Sequence, residues 1–372
     1  MDKTKLYTYA ETLANEFEEI SEYIYDHPEL GNDEYASSAY LCEKMKAYGF
    51  EVTYPYCGLD TAFRAELTCG DGPKVAFLAE YDALPGYGEN GDKNAHACGH
   101  NWIAASTLGA AVILSKMKDE IQGSIVLIGT PAEETIGGKC DLVDRGAFDD
   151  IDAAIQMHLG AKNNINVVTL AMDSIQFDFT GKAAHAAAYP ELGINALRQH
   201  MKSDARVHGI VTEGGQAVNT VPDKASCKFY IRAKHRAYLE ELTKRIIDCA
   251  KGAALMTGAQ LNYFNFENSY DDMVYHEGLR TTMIENLSAL GICDFVKEDA
   301  EASGSSDIGN VSHVCPSVYC EIDTGAKPSV HAHNEEFLEY VHGEYAKKTL
   351  RIAIQAMAGC AFDIFENPDI VK

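Results

Sequence analysis

Asn94-Ala95-His96-Ala97-Cys98-Gly99-His100-Asn101 is the stretch on which the reading of the fold turns. Cys98 and His100 flank Gly99, a residue that permits a tight turn. Upstream, the apolar run Lys74–Ala79 reads as a strand buried on both faces. It gives way to the loop Glu80-Tyr81-Asp82-Ala83-Leu84-Pro85-Gly86. Downstream, Ile103–Met117 reads as a strongly apolar helix. Strand, loop and helix together make an α/β unit, and in such sheets ligands gather outside the C-terminal strand ends. A thiolate and an imidazole at such a junction suit a zinc-like metal. Taken alone, the pair fits a buried cysteine beside an incidental histidine better.

Composition narrows the class. The chain has 372 residues, 46% hydrophobic and 23% charged, enough for two domains or one large core with an insert. A net charge of −25 argues against nucleic acid, which selects a basic surface. No apolar run reaches the ~18–20 residues of a spanning helix, so no membrane partner is expected. The first residues, Met1-Asp2-Lys3-Thr4-Lys5-Leu6, show no secretory signal. Eleven scattered cysteines then read as reduced thiols, and the expected location is cytoplasmic.

Residues 4–26 carry apolar positions at helical spacing, with a stop expected at His27-Pro28. Ser124–Thr130 and Ala153–Met157 read as further buried strands. Three strands thus deliver polar residues at their C-terminal ends: Asp82, then Glu133 and Glu134, then His158. From about Thr169 the pattern changes to alternating, half-exposed strands with helices between them. The expected architecture is α/β. A mainly parallel mixed sheet flanked by helices spans 1–169 and 268–372, and a ferredoxin-like α+β lid is inserted at 170–267. Later elements are a helix over 270–290, a Gly/Ser loop around Ser303-Gly304-Ser305-Ser306, a strand Pro316–Ile322 and a helix over roughly 340–359.

Cys98, His100, Glu134, His158 and a C-terminal histidine, His331 or His333, make five candidate donors. Five are too many for one tetrahedral zinc and suit two ions sharing a bridging thiolate or carboxylate. Glu133, beside Glu134, then has the position of a general base. Each residue also has a plainer reading. Glu133-Glu134 can open a solvated helix, His158 can be a surface histidine, and Asp82 can cap a turn. The metal reading rests on the set.

In order, Asp82-Ala83-Leu84-Pro85, Asn94 to His100, Glu133-Glu134, Met157-His158, Gly181-Lys182-Ala183-Ala184-His185-Ala186, Asn219-Thr220-Val221-Pro222 and His333 before Glu336-Phe337 resemble a known family. It is the dinuclear-zinc amidohydrolases of the aminoacylase/carboxypeptidase superfamily. The likeness is to the branch of indole-acetyl-amino-acid hydrolases, p-aminobenzoyl-glutamate hydrolase and β-alanyl dipeptidases. It extends from His27-Pro28-Glu29-Leu30-Gly31 to the final helix. The resemblance implies two divalent ions, zinc foremost, with manganese or cobalt as alternatives. It implies Cys98 as their bridge, His100 and His158 on one ion, and Glu134 and His333 on the other. Glu133 would act on a bridging hydroxide as general base, and Asp82 would orient a ligand from behind. His185 on the lid would stabilise the oxyanion, reaching across a homodimer interface. Asn219 and Arg232 would contact substrate, Arg232 as a fork for a carboxylate. His333 is preferred over His331 because it directly precedes the Glu-Phe segment.

Two departures stand out. Glu80 occupies a position where more distant members carry a ligating histidine, and it reads here as structural or as a support behind the ligands. Between His185 and Val207 the lid looks short by about one helix. The expected activity is cleavage of an amide bond in a small N-acyl amino acid or dipeptide. The alternative is a metal-binding but inactive subunit or regulatory binder with a truncated lid.

Overall fold

The computed structural model describes all residues except 1–2, 182–189, 216–221, 297–303 and 328. It divides into two units. One is Met1–Val167 with Val274–Glu301 and Asn310–Lys372, and the other is Val168–Met273 with Ala302–Gly309.

The first unit is built on a six-stranded sheet. Its strands lie in the order Glu51–Thr53, Phe63–Thr68, Ser124–Gly129, Lys74–Ala79, Ala153–Gly160, Ser317–Asp323. The last four run parallel, and Phe63–Thr68 pairs antiparallel with Ser124–Gly129. Parallel strands are covered on both faces, which is why Ser124–Gly129 is buried at every residue. Helix His100–Ser115 is the centre of the core, and all of its residues are buried. It packs against Ala14–Asp26 and the terminal helix Gly343–Glu366. Trp102 is wholly buried, and its Nε1–H donates to the Ala346 carbonyl at 3.3 Å.

Three helices differ from the sequence reading. Residues 4–26 form two helices, Thr4–Thr12 and Ala14–Asp26. The helix expected from residue 270 starts at Glu277, because the His276 ring caps it by accepting from the Leu279 N–H at 3.3 Å. The terminal helix runs past Gly359 to Glu366. That glycine is set by packing rather than by a stop: a β-carbon there would lie 2.2 Å from Asn286 Oδ1.

The second unit is a four-stranded antiparallel sheet in the order Gln260–Phe264, Ala171–Thr180, Lys224–Ala233, Arg206–Glu213. With helices Pro190–Leu197 and Arg236–Thr257, the chain runs strand–helix–strand–strand–helix–strand. Its spatial order is fourth, first, third, second strand, which is the ferredoxin-like arrangement. Phe177, Phe229, Ile231, Leu242 and Ile246 fill its core. The helix expected to be missing takes the form of a short one. Pro190–Leu197 has 8 residues before the 3-10 turn Arg198–His200, against 22 in Arg236–Thr257. Among the described residues no helix is long and apolar enough to cross a membrane.

Candidate metal centre

The loop between Ala95 and His100 folds back on itself, with Gly99 at φ +85° as the left-handed residue that starts the central helix. A β-carbon at Gly99 would be strained by that backbone and would also meet Leu159 at 3.2 Å. The turn places Cys98 just before the helix and His100 on its first turn. His158 comes from the neighbouring parallel strand, inside Ala153–Gly160 rather than at its end. Glu133 and Glu134 follow the Ser124–Gly129 strand through Ala132, itself at φ 62°. His333, at φ 72°, is held by its N–H donating to the Ala97 carbonyl (2.8 Å) and by Tyr87 Oη donating to its own carbonyl (2.9 Å).

Donor atoms of Cys98, His100 and His158 lie within 4.8 Å of one another, and so do those of Cys98, Glu134 and His333. Cys98 is common to both groups. A third group joins His100, Glu133 and Glu134. Ring orientation is fixed from behind. His100 Nδ1 donates to Asp82 Oδ1 at 2.7 Å, and His158 Nδ1 donates to the Leu159 carbonyl at 2.7 Å. Both rings therefore turn Nε2 toward the cluster, with His158 Nε2 3.5 Å from Cys98 Sγ. Asp82 Oδ2 also accepts the Glu134 N–H at 2.9 Å, so one carboxylate sets two candidate ligands.

The donor set fits a cation. His100 Nε2 and Glu134 Oε1 are buried without a hydrogen-bond partner. His333 Nε2 approaches Glu134 Oε1 to 3.1 Å without making one. Unpaired buried acceptors are costly unless something positive lies between them. Burial opposes charge on His100, yet Asp82 and Glu80 outweigh it and hold its pKa well up. Positive charge is thus favoured at this ring. Burial and then Glu134 push the Cys98 thiol well above its ordinary range. Burial raises Glu134, but His333 and His100 more than offset that, and its pKa is lowered.

A support outside the sequence reading holds the backbone at Ala132, the residue before Glu133. Glu34, wholly buried, accepts the Ala132 N–H at 2.8 Å and the Thr61 hydroxyl at 2.9 Å. Burial, then Asp82, raises its pKa from 4.5 to about 7. The folded state therefore binds this proton more tightly than the unfolded chain does. Its contribution is full below the unfolded value of 4.5 and is lost as pH rises through about 7. Glu34→Gln is expected to abolish a pH-dependent loss of up to about 3 kcal/mol across that window. Thermal unfolding of parent and variant at pH 5 and pH 8 checks this, and parallel pH profiles would refute it.

A family model, peptidase family M20/M25/M40, matches residues 76–358. The chain belongs to this family. It is 36% identical to mouse (Mus musculus) Xaa-Arg dipeptidase, over 95% of this chain and 86% of that one. It is 31% identical to one of the subunits of p-aminobenzoyl-glutamate hydrolase from Escherichia coli, over 76% of this chain and 64% of that one. The fold matches a dinuclear metal-binding peptidase of the M20 family from Bacillus subtilis with a TM-score of 0.74 at 21% identity, covering 96% and 99% of the two chains. Membership makes this M20 chain a metal-dependent hydrolase of the peptidase and amidohydrolase class.

Of the residues singled out in the sequence, Cys98, His100, Glu133, Glu134, His158 and His333 come together, with Asp82 behind them. His331 is in none of these groups among the described residues. Arg232 belongs to the other unit, on strand Lys224–Ala233, with its guanidinium 5.8 Å from the Tyr230 ring centre and its buried Nε lacking a partner. His185 and Asn219 lie outside the described residues. Besides Glu34, the sequence reading passed over Lys139, wholly buried with Nζ 2.5 Å from Glu80 Oε1. A lysine one residue after Gly137-Gly138 carries no pattern of its own, and only its full burial marks it.

Proposed function

We propose that this M20-family chain hydrolyses the amide bond of a small dipeptide or N-acyl amino acid at a centre of two divalent ions, zinc foremost, with manganese or cobalt as alternatives. The observation that carries the reading is the convergence of two histidine Nε2 atoms, one thiol and Glu134 on a point where His100 Nε2 and Glu134 Oε1 have no hydrogen-bond partner. Cys98 would serve both ions, His100 and His158 one, Glu134 and His333 the other. When bound, the ions supply Lewis acidity that polarises the carbonyl and acidifies water.

The protein's own groups do the rest. Glu133 accepts a proton as water oxygen attacks the amide carbon, then returns it to the nitrogen as the C–N bond breaks. Asp82 keeps the His100 ring turned. His185 would stabilise the oxyanion, while Asn219 and Arg232 would hold the substrate's carboxylate end.

Among substrate classes, the net charge of −25 favours a cationic dipeptide over an anionic acyl-glutamate, because the field steers opposite charge. Dipeptide cleavage is also what the name of the mouse relative describes. The test is a panel of β-alanyl-lysine-type dipeptides, p-aminobenzoyl-glutamate and N-acetyl amino acids with zinc, manganese or cobalt. The basic dipeptides are expected to give the highest kcat/KM. Full metal content with no turnover on any member would favour the inactive binder with its short Pro190–Leu197 helix.

Two further readings go with this one. The protein is cytoplasmic, and it pairs with a second copy through the insert. Support for the pairing is the sheet-edge strand Arg206–Glu213, on which Ile210 and Val211 are 65% and 51% exposed.

A histidine pair tests the ligand assignment. His333→Ala is expected to lower bound metal, whereas His331→Ala keeps the parental content. Equal losses in elemental analysis would undo the assignment.

A further inference from the structure

Strand Ser317–Asp323 carries a charged residue in its interior, where Glu321 interrupts the run Val318-Tyr319-Cys320-Glu321-Ile322. Paired residues of neighbouring strands point to the same face of a sheet, and Glu321 pairs with His158. Its carboxyl therefore stands on the face that presents a candidate ligand. The backbone is fixed from the other edge. The Glu321 N–H donates to the Asn164 carbonyl at 2.8 Å, and the Asn164 N–H donates to the Glu321 carbonyl at 3.0 Å. The side chain lies over Gly160, where a β-carbon would sit 2.9 Å from Glu321 Oε2. Glycine at 160 thus leaves the carboxyl its place.

That carboxyl is half-buried, and among the described residues no hydrogen bond or ion pair holds it. Burial alone raises its pKa from 4.5 to about 7. Drawing a carboxylate out of water without a counter-charge is costly, and a bound cation would offset that cost. Tyr319, on the same face, links Glu321 to the candidate centre. Its ring meets that of His158 edge-on, with centroids 6.3 Å apart. Burial, then Glu80, Glu321, Glu133 and Cys98, raise its pKa well above the tyrosine range, so all four side chains act on one phenol. Neighbouring strands lie roughly 4.8 Å apart, whereas a dipeptide spans about 7 Å. A dipeptide with its amide at the centre can therefore bring one end to Glu321.

We propose that Glu321 is a specificity-determining residue whose carboxylate receives a cationic group of the substrate. The inference rests on the hydrolase reading above and names the side chain that would read the charge. The field of a −25 protein attracts cations in general. A carboxylate at this one place selects a cation at a set distance from the scissile bond. A basic dipeptide offers two such groups, the amino-terminal ammonium and the side-chain cation, and both have the required chemistry.

The experiment compares parent and Glu321→Gln on β-alanyl-lysine, β-alanyl-alanine, Nα-acetyl-lysine and Nα-acetyl-alanine. In the variant, kcat/KM is expected to fall about 10- to 100-fold on substrates that carry the recognised cation. Turnover of Nα-acetyl-alanine and bound metal are expected to stay parental. A loss shared by the two β-alanyl compounds assigns the amino-terminal ammonium, and a loss shared by the two lysine compounds assigns the side chain. An equal change on all four substrates, or none on any, overturns the inference. Glu321→Leu also removes the charge and gives the same reading if the glutamine variant does not fold. A parent that cleaves none of the four overturns the hydrolase reading instead. Calorimetry with β-alanyl-lysine then decides the role of Glu321: weaker binding in the variant supports it, and equal or absent binding in both proteins overturns it.

Discussion

Glu133→Gln is expected to keep its bound metal and lose about 100- to 10,000-fold in kcat. Glutamine has the shape of glutamate but cannot take a proton from water. Glu133 lies near His100 and Glu134 but is in neither of the groups built on Cys98. Its removal therefore leaves the donors of both candidate half-sites in place. A group that acts only as the barrier is crossed changes kcat and kcat/KM together and leaves substrate binding alone. Elemental analysis and steady-state kinetics on one preparation separate the two effects. Amide hydrolysis at the parental rate would remove Glu133 from the base role, and loss of metal would make it a ligand.

Cys98→Ala is expected to have the opposite signature: metal content falls first and activity follows it. Sγ of Cys98 belongs to both the His100/His158 group and the Glu134/His333 group. Truncating it therefore weakens both ends of the site, whereas truncating any other donor weakens one. A loss of at least 10-fold in affinity for each ion is the expected scale, since even the supports behind a ligand are worth about that much. Equilibrium dialysis at graded free zinc reads it directly. Two ions bound at unchanged affinity would sink the bridging role.

The fold was legible where the physics is local. Lys74–Ala79 emerges with the boundaries read from the sequence, because a strand covered on both faces is written as a continuous apolar run. The strand ends carry polar residues that such a run cannot, so Asp82, Glu133 and Glu134 were visible too. Other features depend on distant partners. Glu34 supports Ala132 across 98 residues, and Lys139 meets Glu80 across 59. Neither pairing leaves a periodic trace. Gly359 lies within the terminal helix because it makes room for Asn286, a partner distant in the chain. His276 was passed over as a cap because histidine is not among the usual cap residues.

The central helix His100–Ser115 is buried at every position and held by hydrocarbon packing on all sides. Its first residue is a candidate ligand. Small zinc domains take their folding energy from the ion and collapse without it. Here the scaffold has a large core of its own, and the histidine is already oriented by Asp82. A chelator should therefore leave the circular dichroism of the protein intact. Reconstitution should proceed at a rate first-order in added ion, set by entry into a waiting site rather than by refolding. Metal supply would then act on this protein as a reversible switch of activity, with little effect on its lifetime.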